Sequence, residues 1–318
     1  MVEEFYSFPV VLAGMLKILF LMGIGFFLSA AKVVKKGILD VLSVLLVWVC
    51  LPALFFVKIT SFFEPAAFPS WWILPIVAIV MCFLGLGFGF FSQKLFKDFS
   101  SRREFMASCA FQNCGYLPMC LVVFITTGAL REELLIYIFL FLVGFNVSLW
   151  VFVPTFLANK REASMKFTDL FNPPMIFMIT AFVSVAFLGK GWVPKIIAEP
   201  LSMVGNASFP LSLLLVGISL EIHKGYRLDK WSALVACIII KLFLFPLGIM
   251  AALSFLPFNE SDAFIIFLES IMPVAVTLVL IGHYKGADNA FLSGSIFYSH
   301  IVALLTIPLW LFLYSTFF

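Results

Sequence analysis

Apolar runs of about 20 residues, long enough to cross a bilayer as helices, follow one another along the whole chain. Short charged or Pro- and Gly-rich segments separate them. Cutting the chain at these segments predicts ten transmembrane helices, and no gap between them is long enough for a soluble domain. The predicted spans are residues 9–31, 38–57, 70–92, 105–127, 132–157, 173–189, 199–221, 231–255, 262–282 and 289–316.

Two of these spans contain helix-breaking residues near their middle. Gly115 and Pro118 lie in the fourth span and Pro273 lies in the ninth. Pro lacks an amide hydrogen and its ring clashes with the carbonyl one turn back, so both helices are expected to break in mid-membrane. Broken backbone at that depth is tolerated only inside protein or beside a watery cavity. Two such breaks in matching halves are typical of the binding site of a secondary transporter.

The prolines also indicate that the two halves of the chain repeat. Three prolines recur at similar offsets, namely 158 residues (Pro52 and Pro210), 155 residues (Pro118 and Pro273) and 154 residues (Pro154 and Pro308). Each half holds five spans, and because five is odd the second half enters the membrane upside down. We expect two inverted five-helix repeats, 1–157 and 173–318, joined by a cytoplasmic linker at 158–172. The broken helices 4 and 9 are expected to cross near the midplane.

Composition agrees with an all-α membrane protein. Hydrophobic residues make up 63% of the chain and charged residues 12%, whereas soluble domains have about 45–50% and 25%. The start of the chain lacks the basic region and cleavage site of a secretory signal, so the first run is expected to stay as a span. The six cysteines lie in apolar runs without the spacing of a zinc site, so we expect buried thiols and no metal.

Basic residues in the loops predict the orientation. Fourteen lie on one side, and the positive-inside rule places them in the cytoplasm, with both termini outside a plasma membrane. They are Lys32, Lys35, Lys36, Lys94, Lys97, Arg102, Arg103, Lys160, Arg161, Lys166, Lys224, Arg227, Lys230 and Lys285. The other side has only Lys58, Arg131, Lys190 and Lys195. Distributed in this way, the charges are orientation signals and do not predict a nucleic-acid partner.

Four ionisable residues inside the spans, Lys17, Lys241, Glu269 and His300, are candidates for function, because insertion of such a group costs at least about 2.5–3.5 kcal/mol. Lys17 lies only eight residues into the first span and could reach the outer interface by snorkelling. Lys241 lies deep in the eighth span. It is predicted either to attract a carboxylate or to form an ion pair with Glu269. Glu269 adjoins the second break, where burial favours the neutral acid and suits proton coupling, whereas a nearby Lys241 would keep it ionised. The sequence leaves these alternatives open.

Polar residues at the breaks complete the candidate site. The Asn113 amide offers donors and an acceptor, and the half-helix that follows it has free amides whose dipole favours an anion. His300 in the tenth span and Asn146 in the fifth are separated by the 154-residue offset of the repeat, so both are candidates to line the substrate site. Alternatively, each side chain forms only a hydrogen bond to a neighbouring helix. The predicted substrate-binding residues are Asn113, Gly115, Pro118, Asn146, Lys241, Ser270, Pro273 and His300.

Several segments resemble the auxin efflux carrier family. Residues 111–118, Phe-Gln-Asn-Cys-Gly-Tyr-Leu-Pro, are similar to its first crossover, in which Asn-x-Gly-aromatic precedes a Pro. Similar segments occur in the last four spans, at residues 205–220, 241–246, 272–276, 284–288 and 306–309. The resemblance implies ten spans in two inverted halves and transport of organic anions, including malate, malonate and, in plants, indole acetate. The short linker resembles that of prokaryotic members.

These observations predict a secondary active or facilitative transporter of a small organic anion that works by alternating access. H⁺ or Na⁺ is the candidate coupling ion, no other cofactor is expected, and membrane lipids and a second copy of the chain are the candidate partners. A sodium-coupled carrier of the bile-acid symporter type, or a membrane receptor with a transporter fold, remains an alternative. An enzyme is not expected, because the chain has no nucleophile elbow, no HExxH and no phosphate-binding Gly loop.

Overall fold

The structure is a computed structural model that describes residues 7–34, 36–69, 71–96, 100–158, 171–223 and 231–318. Of these residues 82% are helical, and no strand occurs among them. Seven helical stretches are long and apolar enough to cross a membrane. They are residues 8–30, 41–62, 73–95, 128–157, 195–222, 231–253 and 289–317. The chain is therefore a multi-pass helical membrane protein.

Sixteen α-helices are described. Those of the first half are α1 (Phe8–Ala30), α2 (Lys36–Leu45), α3 (Leu51–Phe62), α4 (Ile73–Ser92), α5 (Arg102–Ala110), α6 (Tyr116–Ile125), α7 (Gly128–Val147) and α8 (Val153–Leu157). Those of the second half are α9 (Pro173–Leu188), α10 (Lys195–Asn206), α11 (Ser208–His223), α12 (Trp231–Ile239), α13 (Phe245–Leu253), α14 (Glu260–Ser270), α15 (Thr277–Lys285) and α16 (Asn289–Phe317). All six cysteines are buried free thiols, as predicted.

Some of the predicted features lie outside the described residues. This holds for most of the linker and for eight basic residues of the predicted cytoplasmic set. These are Lys35, Lys97, Lys160, Arg161, Lys166, Lys224, Arg227 and Lys230.

Three long helices contain a π-helical segment just before a proline. The segments join α2 to α3, α7 to α8 and α12 to α13, and each ends two residues before its proline. They are Leu46–Cys50 before Pro52, Ser148–Phe152 before Pro154, and Ile240–Leu244 before Pro246. A proline ring clashes with the carbonyl four residues earlier and cannot donate to it, so a wider turn lets the helix continue. These prolines therefore bend helices without ending them.

Two groups of helices can be distinguished, and they contact each other where α1 meets α6 and α16. In the first group α1 packs on α11, and α3 packs on α9 and α10. In the second group α4 packs on α5 and α7, while α16 packs on α5, α12 and α15. Glycine allows the closest approaches within each group, because a Cβ at Gly217 would lie 1.9 Å from the Met22 carbonyl oxygen and one at Gly144 would lie 1.8 Å from that of Pro75. Small residues at such contacts let membrane helices pack backbone to backbone.

The chain leaves its helical path between α5 and α6 and again between α14 and α15. The two extended segments, 111–115 and 271–276, pair with each other through an antiparallel bridge between Gln112 and Val274. The Asn113 amide donates to the Pro273 carbonyl at 2.8 Å, and the Ala275 amide donates to the Phe111 carbonyl at 3.0 Å. Each break thus satisfies backbone groups of the other, as buried backbone requires.

The two prolines predicted to break these helices take different positions. Pro273 lies within the second extended segment. Pro118 lies inside the first turn of α6, three residues after Gly115, which precedes that helix. A first-turn amide has no partner in the helix, so a proline there removes no hydrogen bond. The first interruption therefore precedes Pro118 and does not include it.

Candidate functional site

A cavity of about 120 Å³ lies where the paired segments meet the first helix group. Residues 112–116 and 275–277 form one side of it, and Phe55 of α3 faces them from the first group. Phe145 and Trp150 add further aromatic surface. The cavity thus lies between the two helix groups, at the point where both interrupted helices come together.

Two helix N-termini border this cavity. Gly115 and Tyr116 at the start of α6, and Val276 and Thr277 at the start of α15, are among its lining residues. No side chain caps either of these two helices. The amides of a first turn have no acceptor inside their own helix, and the helix dipole makes that end positive. Two such ends directed at one space favour an anionic oxygen there.

The polar groups in the lining are side-chain amides, hydroxyls, an indole N–H and a thiol. They belong to Gln112, Asn113, Asn146, Asn172, Tyr116, Thr277, Trp150 and Cys114. In the described part of the chain, no Lys, Arg, Asp or Glu lines this cavity. The chemistry of the cavity is therefore determined by hydrogen-bond donors and helix N-termini, because none of the described charged side chains contacts it.

His300 holds the side chain of Asn113. The His300 Nδ1 atom lies 2.8 Å from the carbonyl oxygen of Ile296, and its Nε2 atom lies 3.3 Å from Asn113 Nδ2. Because a carbonyl only accepts, Nδ1 must carry the proton, and Nε2 of the neutral ring then accepts from the Asn113 amide. The bond fixes which way the Asn113 amide faces, with His300 itself outside the lining.

Lys241 is fully buried behind the cavity. Its Nζ atom donates to Gln112 Oε1 at 3.1 Å and lies 4.8 Å from the centre of the Phe245 ring. It is not among the lining residues, so the structure puts Gln112 between this ammonium and the cavity. The direct contact with a solute that the sequence predicts is not available in this arrangement.

Glu269 is also fully buried, at the C-terminal end of α14. Among the described residues, neither of its carboxyl oxygens has a hydrogen-bond partner. The alternative of an ion pair with Lys241 is therefore not formed, because the lysine is held by Gln112 instead. The Cys114 thiol lies beside the carboxyl.

The remaining predicted residues divide by position. Asn113, Gly115 and Asn146 line the cavity, whereas Pro273 contacts Asn113 through its carbonyl. The Ser270 hydroxyl donates to the Phe267 carbonyl at 2.6 Å and stabilises the end of α14.

Three lining residues with amide or aliphatic hydroxyl side chains were absent from the predicted set, namely Gln112, Asn172 and Thr277. Gln112 adjoins the Asn-x-Gly motif, which was the one available signal for it. Asn172 accepts from the Met175 amide at 3.0 Å as the N-cap of α9, so its sequence context indicates only a helix start. Nothing in the sequence distinguishes Thr277 from the apolar residues around it.

Comparisons with known proteins identify the chain as similar to membrane transporters. A family model described as a membrane transport protein matches residues 10–169 and 163–311. The chain is also 23% identical over 298 residues to an uncharacterized transporter of Methanocaldococcus jannaschii. That similarity covers 92% of this chain and 95% of the archaeal protein.

Proposed function

Because the chain belongs to the auxin efflux carrier family of membrane transport proteins, we propose that it moves a small organic anion across the membrane by alternating access. The observation that carries this proposal is the pair of half-helix N-termini, of α6 and α15, at one cavity. Their dipoles and first-turn amides suit a carboxylate. Asn113 donates one amide hydrogen to His300, and its second amide hydrogen is a further donor for the solute.

We propose that the helices form two inverted five-helix repeats, with α5–α6 and α14–α15 as the fourth and ninth spans. Two hydrogen bonds near the helix starts support this symmetry. Ser101 at the start of α5 donates to Asp288, and Ser261 at the start of α14 donates to Glu133. Asp288 and Glu133 are 155 residues apart, the same offset that separates Pro118 from Pro273. A hydrogen bond from a serine at the start of an interrupted helix to an acidic side chain therefore occurs in both halves of the molecule.

We propose that the described state is that of an inward-facing carrier, in a plasma membrane with both termini outside. The cavity is lined by Asn172 and Pro174 at the start of α9, which the distribution of basic residues assigns to the cytoplasmic half. On the opposite side, the Lys58 Nζ atom lies 2.7 Å from both carboxyl oxygens of Glu132. This ion pair joins α3 of the first group to α7 of the second, and so closes the outer side.

Glu269 is the group we assign to coupling. A buried carboxyl with two unpartnered oxygens beside the second break is suited to bind and release a proton as its surroundings change. Uptake into proteoliposomes driven by a proton gradient, and lost in Glu269→Gln, is the expected result. Uptake driven by a sodium gradient alone would instead favour the bile-acid symporter alternative.

Ligand screening tests the substrate class. Purified protein is heated with benzoate, indole-3-acetate, malonate or malate, and each stabilising compound is then tested for uptake. We expect at least one carboxylate to raise the unfolding temperature and to be accumulated. Stabilisation only by neutral or cationic solutes would overturn the proposal, and binding without any uptake would favour a receptor.

A further inference from the structure

We propose that Gln112 contacts the substrate through its amide nitrogen, and that Lys241 is a positioning residue that acts on the substrate through Gln112. This inference rests on the proposed transport of an organic anion. It starts from one hydrogen bond, in which Lys241 Nζ donates to Gln112 Oε1 at 3.1 Å.

The chemistry of that bond fixes the orientation of the Gln112 amide. An ammonium group only donates, so the oxygen of the amide must face Lys241. The nitrogen must then face away from the lysine. Gln112 lines the cavity, is fully buried, and its Nε2 atom has no hydrogen-bond partner among the described residues. A buried N–H group without an acceptor is unusual in a folded protein and indicates a missing ligand.

Lys241 is held firmly enough to set that orientation. It lies in the π-helical segment Ile240–Leu244, and its ammonium also faces the ring of Phe245. Pro246 cannot donate to the carbonyl of Leu242, four residues earlier, and the Trp310 indole nitrogen donates there instead at 2.7 Å. The backbone that follows the lysine is therefore fixed by a second helix, α16.

The positive charge also strengthens the donor. A hydrogen bond from an ionised group polarises the amide that accepts it, and the amide N–H then becomes a better donor to the next acceptor. An anion in the cavity would thus be attracted by the charge of Lys241, transmitted through the Gln112 amide, without forming an ion pair with the lysine. This arrangement gives preference for a carboxylate while leaving the bound anion able to depart.

Four variants of the full-length protein test the inference. Gln112→Leu removes the donor, and Gln112→Glu keeps the shape but presents an oxygen to the cavity. Lys241→Met removes the charge at similar length, and Lys241→Arg restores it. Gln93→Leu is the matched control, because Gln93 is also buried but lies at the cytoplasmic end of α4, away from the cavity.

The readout is the preference for an anion over its neutral isostere. Binding of benzoate, indole-3-acetate, malonate and malate is compared with binding of the corresponding amides. We expect Gln112→Leu to lower the carboxylate-to-amide preference about tenfold, the change for one lost charged hydrogen bond. Gln112→Glu should lower it further, and Gln93→Leu should leave it unchanged. Lys241→Met should raise KM more than it lowers the maximal rate, with recovery in Lys241→Arg.

The outcomes separate this inference from the proposed function. A wild-type protein that prefers no carboxylate over its amide would refute both. A wild-type preference that survives unchanged in Gln112→Leu would refute the inference and leave the transport of anions standing. If Lys241→Met does not fold, the two Gln112 variants decide the question by themselves.

Discussion

At the scale of single residues, the polar side chains at the crossing work in pairs. One member lines the cavity and the other holds it from behind, as His300 holds Asn113 and Lys241 holds Gln112. Lys241 takes the oxygen of the Gln112 amide and leaves its nitrogen for the solute, whereas His300 accepts one hydrogen of the Asn113 amide and leaves the second hydrogen for another acceptor. The two amides can therefore still donate at the cavity, although no basic side chain in the described chain reaches it.

Replacing Asn113 by Asp tests the first of these pairs. The change keeps the shape of the side chain but replaces a donor by a carboxylate, which repels an anion near the two helix ends. We expect KM for the transported carboxylate to rise at least about tenfold, measured by uptake into proteoliposomes. Asn206→Asp is the control, because Asn206 lies at an exposed site and bonds only within α10 to Ser202. An unchanged KM in Asn113→Asp would contradict the assignment.

Replacing Glu269 by Gln tests coupling at the same scale. If the carboxyl carries the coupling proton, the variant loses accumulation driven by a pH gradient but retains exchange of substrate across the membrane. Both are measured in the same proteoliposomes. Equal pH dependence in the wild type and Glu269→Gln would remove this carboxyl from coupling. Glu199→Gln, an exposed position in α10, is the control.

The sequence predicts only part of this residue-scale picture. Asn113 and Gly115 stand out because they adjoin a helix break, and Asn146 because of a symmetry offset. The partner of Lys241 could not be predicted, because a buried ammonium accepts several kinds of partner and only the packed structure shows which is near. Sequence reasoning offered the acid Glu269 as one possible partner, whereas the acceptor in the structure is the amide oxygen of Gln112.

At the scale of helices, proline has two effects in this chain. Before Pro52, Pro154 and Pro246 the helix widens into a π-helical segment and continues. Around Pro273 it stops, and the extended backbone pairs with the other break. The sequence predicts the interruptions because Gly and Pro cluster in the middle of apolar runs. It does not predict the pairing between them, which depends on contacts 155 or more residues apart in the chain.

The hydrogen bond from Trp310 to the Leu242 carbonyl gives a test at this scale. Trp310→Phe leaves a buried carbonyl without a donor, and we expect a loss of about 1–3 kcal/mol in stability. In Pro246→Ala the helix can supply its own donor to that carbonyl, so removing Trp310 as well should cost less than in the wild type. Thermal unfolding of both single variants and the double variant measures the coupling. Strictly additive effects would contradict this role of Trp310.

At the scale of the whole molecule, two helix groups enclose the cavity, and an ion pair joins them on the side away from it. Lys58 and Glu132 are largely buried, with side-chain exposures of 14% and 18%. In alternating access the two groups must separate on this side when the cavity opens outward. The pair is therefore expected to favour the inward-facing state over the outward-facing one.

Charge reversal tests that expectation. Lys58→Glu and Glu132→Lys each place like charges together, so we expect the inward-facing state to be destabilised and the maximal uptake rate to change several-fold. Combining the two restores attraction and should restore the wild-type rate, measured by uptake and by labelling of the cavity from each side. Reversal of Lys190 and Glu64 is the matched control, because that exposed ion pair lies within the first helix group alone. Equal effects of the two pairs would contradict a role in gating.

The pairing of the two breaks has a consequence for tolerance to insertions. The bridge decides where each side chain lies, because the Asn113 amide and the Phe111 carbonyl bond fixed positions of the second segment. A single residue added after Phe111 would move Gln112 and Asn113 along the bridge, away from Lys241 and His300, without removing either amide. The transporter can thus lose its selectivity through a slip in register while every functional group is still present in the chain.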